Sequence, residues 1–144
     1  MKDILTKVPL FAGLDEAELT QLTAIIGDRD VAPGEIIVKQ NTTGNEVFII
    51  SDGTVEVFVE GLHEERTLVH LGKGQVIGEL ALIDQGYRSA SVRATQSSGC
   101  SLLVLSGTDF RALCEENYRI GFTVMRNLAL DVSFKLRHRN LAEM

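Results

Sequence analysis

This chain has no tryptophan, only two prolines and only two cysteines. Two prolines are too few for the extended, proline-rich stretches of linkers or recognition tails. Cys100 and Cys114 show neither the close pairing of a redox motif nor the paired spacing of a zinc site, and both read as reduced thiols packed among apolar residues. His63, His70 and His138 form no ligand pattern, so no metal is expected. No apolar run approaches the ~20 residues that span a bilayer. The opening residues, Met1-Lys2-Asp3-Ile4-Leu5-Thr6, lack the apolar core of a secretory signal. A reducing, cytoplasmic setting without membrane contact is the expectation. Lysine and arginine total 14 against 20 acidic residues, for a net charge of −6. That balance excludes a general nucleic-acid-binding face. It leaves room for one phosphate held by one well-placed arginine.

The 144 residues suit one domain with a core that buries roughly two-thirds of the unfolded surface. The pattern divides into a helical segment over 1–30, a run of short strands over 31–106 and helices over 107–144. Asp15 caps a first helix, with Glu18 three residues on, and Leu19, Leu22 and Ile26 mark its buried stripe up to Gly27. Pro33-Gly34 is a turn before a strand from Glu35 to Val38. Residues 46–51 are an apolar strand, and Asp52-Gly53 reads as a two-residue hairpin turn. Val55, Val57 and Val59 alternate with Glu56, Phe58 and Glu60, so the valine face is expected inside. Further strands are read over 66–71, 90–94 and 101–105. So many short strands point to a barrel, roll or sandwich.

From Thr108 the apolar period becomes helical, with Phe110, Leu113 and Cys114 on a short helix. A long helix follows over 117–142. Placed at 100° per residue, its apolar residues form two stripes. Met125, Leu128, Val132 and Leu136 make one, which Arg139 continues, and Leu130, Phe134 and Leu141 make the other. One stripe is expected to cover the roll. The other is expected to meet a second copy of the chain in a homodimer, because a lone surface helix needs only one.

The stretch Gly78 to Ala94 carries the parts of an anion site. Gly78 lets the backbone approach a ligand. Glu79 to Ile83 can make one helical turn whose free N–H groups face an anion. Arg88 offers a planar fork to two phosphate oxygens, Ser89 a hydroxyl, and Glu79 an acceptor for a sugar hydroxyl. Leu80 and Leu82 are expected to anchor this loop in the core. No nucleophile–base pair or paired carboxylate site is visible, so no catalytic residues are assigned and the chain is read as a binding module, not an enzyme. The histidines also fail the His-x-His pattern that a cupin-type metal enzyme would need.

This stretch, Ile77-Gly-Glu-Leu-Ala-Leu82, a spacer, then Tyr87-Arg-Ser-Ala-Ser-Val-Arg-Ala94, resembles the phosphate-binding cassette of the cyclic-nucleotide-binding family. That family includes the regulatory subunits of cAMP-dependent protein kinase and the bacterial catabolite activator proteins. The likeness continues in Val8-Pro9-Leu10-Phe11, in Pro33 to Ile37 and in Glu46 to Val55, and so covers nearly the whole chain. Two positions depart from the family pattern. Tyr87 stands where proline usually precedes the arginine, and Gln40-Asn41 replaces the commoner Gln/Glu-Gly.

The resemblance implies a jelly-roll-like double-stranded β-helix, mainly β, with an N-terminal helix and C-terminal helices. It implies a cassette over 78–90 in which Gly78, Glu79, Leu80, Ala81, Arg88, Ser89 and Ala90 bind the ligand. Arg88 would pair with the cyclic phosphate and Glu79 would accept from the ribose 2′-hydroxyl. Val132, Leu136 and Arg139 are the candidate lid over the purine, and Val69 to Leu71 a candidate pocket wall. The expected ligand is cAMP, since bacterial cAMP receptors share Arg-Ser-Ala, with cGMP as the alternative because a hydroxyl at Ser89 can favour it. The expected role is a sensor signalling through the C-terminal helix. It would stand alone or serve as the ligand-binding domain of a longer transcription regulator or signalling protein, since no DNA-reading helix-turn-helix follows the long helix here.

Overall fold

The computed structural model describes the backbone of residues 1–143 and the side chains as far as His138. Short α1 (Lys2–Leu5), a 3₁₀ turn (Pro9–Phe11) and α2 (Glu16–Thr23) lead into eight strands. These are β1 (Ile26–Val31), β2 (Ile36–Val38), β3 (Glu46–Gly53), β4 (Val55–Glu60), β5 (Glu65–Leu71), β6 (Val76–Ile77), β7 (Ser91–Ala94) and β8 (Cys100–Ser106). A second 3₁₀ turn (Glu79–Leu82) lies between β6 and β7. α3 (Gly107–Glu116) and α4 (Tyr118–Glu143) close the chain. The strands form two antiparallel sheets, ordered β1-β8-β3-β6 and β2-β7-β4-β5. This is the jelly-roll-like β-roll with flanking helices.

The apolar run in β3 is continuous because both of its faces are covered. Phe48 and Ile50 pack between the two sheets with Val31, Val55, Ile77, Val92 and Leu102. Val47 and Ile49 face the other way. They join Leu103 and Leu105 of β8 against Leu5, Leu19, Leu22, Phe110, Ile120, Val124 and Leu128 of the helices. β4 follows the expected alternation only at its start, because the register with β5 shifts between Val57 and Phe58. Val55 is fully buried between the sheets, and Val57 packs partly against it. Phe58, expected outside, is instead fully buried, with the Arg93 guanidinium 4.1 Å from its ring centroid, and Val59 is only half-buried. Such a cation over an aromatic face is attracted by the ring quadrupole.

Three local expectations change. The roll begins at Ile26, inside the stretch 1–30 read as helical, and α2 ends at Thr23. β1 carries Gly27, Asp28, Arg29 and Asp30 on a sheet edge, where polar residues face water and no apolar alternation marks a strand. Asp52-Gly53 is not a hairpin. Both residues end β3, paired with Ser101 and Cys100, and since β3 pairs with β6 and β8 while β4 pairs with β5 and β7, the chain passes here from one sheet to the other. Gly53 takes φ +82°, and a Cβ there would stand 2.5 Å from the Gly99 carbonyl oxygen. The Asp15 cap forms as expected. Its carboxylate accepts from the Glu18 N–H at 2.8 Å, and Glu18 accepts from the Asp15 N–H at 3.0 Å. Buried Glu18 also pairs with Arg119 at the start of α4. Both cysteines are free, and burial pushes both thiols up.

α4 departs most from expectation. Its buried line is Ile120, Val124 and Leu128, with Met125 partly covered. Val132 and Leu136, expected to cover the roll, are exposed, as are Leu130 and Phe134 of the other stripe. The first stripe therefore meets the roll only through Met125 and Leu128, and its later residues leave that face. Arg139 and Leu141 lie outside the described side chains.

Candidate functional site

The cassette is built on a left-handed residue. Gly78 takes φ +74° and starts the short turn Glu79–Leu82. Glycine adopts that conformation without the Cβ clash other residues meet. The first N–H groups of the turn have no partner within it. Leu82 is fully buried and holds the turn in the helical core, together with buried Ala81. Leu80 does not share that role. It is 54% exposed, because a tight turn of four residues cannot point three consecutive side chains inward.

The other arm of the cassette is pinned to the loop before β3. The Arg88 N–H donates to the Thr42 carbonyl at 2.8 Å, and the Asn41 N–H donates to the Arg88 carbonyl at 2.9 Å. Thr43 and Tyr87 form an isolated antiparallel bridge, so the backbone pairing holds the arm without the proline usual there. Asn41 sits at φ +66°, a region asparagine tolerates. Ser91 is buried and accepts from the Gln40 N–H at 2.8 Å, a structural role.

This clamp places the Arg88 side chain against two glycines. A Cβ at Gly44 or at Gly78 would run into the guanidinium. Arg88 Nη2 donates to the Glu46 carbonyl oxygen at 2.8 Å. Among the described residues, no carboxylate oxygen lies within 4 Å of the guanidinium. Burial pulls the Arg88 pKa down from its ordinary value, against the opposing charge of Glu46. The group is thus a partly desolvated cation short of a counter-charge, which is what an anion site requires.

A cavity of about 510 Å³ joins these parts. Gly78, Glu79, Arg88, Ser89 and Ala90 line its polar end, and Val38, Val57, Val69, Leu71, Val76 and Val92 its apolar end. The volume falls in the usual range for small-molecule sites, as does the apolar wall with a few converging polar groups. Val69 and Leu71 belong to that wall, as the sequence suggested, whereas His70 faces Glu56 at 4.0 Å. Leu80 and Ala81 lie instead along an adjoining recess of about 250 Å³ that shares Gly78, Glu79, Arg88 and Ser89.

α4 closes one side of the cavity through Asn127, Asp131 and Lys135, and Val132 and Leu136 are not part of the lining. Continuing the buried line Ile120, Val124, Leu128 by helical steps of three and four leads to Asp131 and Lys135. A count of apolar residues alone passes over them. Asn127 Nδ2 donates to the carbonyls of Leu10 at 2.9 Å and Ala12 at 2.8 Å, tying α4 to the N-terminal 3₁₀ turn, whose Pro9 and Leu10 also reach the cavity. Lys135 Nζ lies 3.0 Å from Asp131 and 3.4 Å from Glu79. Burial works to lower its pKa, but the hydrogen bond it donates to Asp131 and the charge of Glu79 prevail and hold it above the ordinary lysine value. Among the described residues, no cluster of three or more histidine, cysteine or acidic groups is placed to hold a metal, and no helix is long and apolar enough to cross a membrane.

Comparison with known proteins agrees with this geometry. The model of the family described as "Cyclic nucleotide-binding domain" matches residues 28–117. A cGMP-dependent protein kinase of Drosophila melanogaster, isozyme 2 forms cD5/T2, is 34% identical over 113 residues, which are 77% of this chain and 12% of the kinase. The crystal structure of Thermus thermophilus catabolite activator protein superposes with a TM-score of 0.81 at 34% identity, covering 93% of this chain and 61% of that one. The regulatory domain of Toxoplasma gondii PKA, crystallised with cAMP, superposes with a TM-score of 0.71 at 27% identity, covering 77% of this chain and 42% of that one. The chain thus spans only part of these relatives, about an eighth of the kinase. The fold, the cassette and the family match agree: this chain belongs to the cyclic nucleotide-binding domain family.

Proposed function

We propose that the chain is a non-catalytic sensor that binds cAMP in this cavity and signals through α4. The observation that carries the reading is Arg88, partly desolvated and without a carboxylate partner among the described residues, at the polar end of a cavity whose wall also holds Glu79. The cyclic phosphate would take the free donors of Arg88, the Ser89 hydroxyl and the N–H groups of the Glu79–Leu82 turn. Glu79 would accept from the ribose 2′-hydroxyl. The purine would lie on the valine and leucine wall, under α4. The choice of cAMP over cGMP rests on the Arg88-Ser89-Ala90 sequence and on likeness to the PKA regulatory domain crystallised with cAMP. Titration calorimetry with cAMP and cGMP side by side tests it. Tighter binding of cAMP is expected, and a clear preference for cGMP would reverse the choice.

Two features support signalling through α4. The helix lines the cavity, and it also presents exposed Leu130 and Phe134 on one flank. Such apolar residues together mark an interaction surface, which we assign to a symmetric homodimer. Ligand contact and assembly would then involve one helix, and any coupling between them must be reciprocal. The net charge of −6 favours no nucleic-acid contact by this segment, and the reduced cysteines favour the cytoplasm. A second reading, a ligand-binding domain within a longer regulator or signalling protein, is supported by the part of each relative that the chain spans.

A further inference from the structure

Two carboxylates line the cavity, Glu79 from the cassette and Asp131 from α4, and one ammonium stands between them. Lys135 Nζ reaches Asp131 Oδ2 at 3.0 Å within its own helix and Glu79 Oε1 at 3.4 Å across the cavity rim. The second contact joins α4 to the residue assigned to the ribose. Its partners are 63% and 23% exposed, so the pair is solvated and readily exchanged. If Glu79 is given up, Lys135 still has Asp131, and no ammonium is left without a counter-charge. A carboxylate already engaged by an ammonium is a poorer acceptor for an arriving neutral hydroxyl.

We propose that Lys135 and the ribose 2′-hydroxyl of the nucleotide compete for Glu79, so that filling the cavity breaks the Lys135–Glu79 contact; this rests on the nucleotide reading above. Lys135 is then a residue that sets how strongly the site reads the 2′-hydroxyl, and Asp131 sets how firmly Lys135 holds Glu79. Linkage requires the converse as well: whatever strengthens the Lys135–Glu79 contact weakens the nucleotide.

The test is the ratio of affinities for cAMP and 2′-deoxy-cAMP, because effects on phosphate and base cancel in it. Lys135→Met removes the competitor from an exposed position and should raise the ratio about two- to fivefold, the range of a solvated ion pair. Asp131→Asn frees Lys135 to hold Glu79 and should lower the ratio, about twofold. An unchanged or lower ratio in Lys135→Met would overturn the competition, and so would a ratio that rises in Asp131→Asn. If the unmodified protein binds neither nucleotide, the nucleotide reading itself fails. If it binds cAMP and the ratio does not move, only the competition fails.

Discussion

Replacing Arg88 by alanine removes a guanidinium that has one donor group committed to the protein. Nη2 holds the Glu46 carbonyl at 2.8 Å, which leaves Nε and Nη1 for a ligand. Two hydrogen bonds to a charged group contribute about 1.5–3 kcal/mol each. The cavity is open to solvent, and Ser89 and the turn amides would keep part of the hold on the phosphate. The lower end of that range therefore applies, about 3 kcal/mol, or roughly a hundredfold in Kd. Folding should suffer little. The lost bond to Glu46 costs about 1 kcal/mol. Part of that returns because a partly desolvated cation is removed, the burial that lowers the Arg88 pKa. Arg88→Lys keeps the charge and loses the fork, so it should fall between the two. The assay is titration calorimetry with cAMP, alongside thermal unfolding to show that each variant is folded. A Kd for Arg88→Ala within twofold of the unmodified protein would refute the assignment of Arg88 to the phosphate.

Acid should weaken the fold partly through Glu56. The Thr67 hydroxyl and the Arg93 guanidinium hold its carboxyl below the ordinary value of 4.5, against the opposing effect of burial. A depressed folded-state pKa gives stability that is present above about pH 4.5 and is lost as pH falls through the folded value. Chemical unfolding between about pH 3 and pH 6 should therefore show a steeper acid limb for the unmodified protein than for Glu56→Gln, and equal limbs would contradict this. Leu130→Glu with Phe134→Glu places two charges on the exposed flank of α4, where no core packing is lost, so the variant should fold and sediment as a monomer. An unmodified protein that is monomeric at high concentration, with and without nucleotide, would rule out the dimer.

The parts of the fold legible in the sequence are those where local pattern and tertiary setting agree. The Asp15 cap and the doubly covered β3 are of this kind. The cassette was legible because its glycine, acid and arginine match the pattern of the family it resembles; the residues alone offered only the parts of an anion site. What stayed hidden has a physical cause in each case. β1 is a polar edge strand and β6 has two residues, so neither leaves a periodic signal. Asp52-Gly53 reads as a turn but ends β3, paired with Ser101 and Cys100, because the partners of β3 and β4, which no local residue encodes, lie in different sheets. On α4, the residues that reach the cavity are polar ones in line with a buried apolar row, and a search for apolar stripes selected their neighbours Val132 and Leu136 instead. Leu80 was read as core because leucine usually is, whereas the tight turn exposes it.

The most direct test of a nucleotide site in this cavity is an amide NMR titration of the unmodified protein with cAMP. Saturable binding of one nucleotide per chain is expected, with the largest shifts at Gly78, Glu79, Leu80, Arg88 and Ser89 and a second group at Asn127, Asp131 and Lys135 of α4. Absence of any shift with cAMP and with cGMP at millimolar concentration, or shifts confined to residues away from the cassette, would contradict the account.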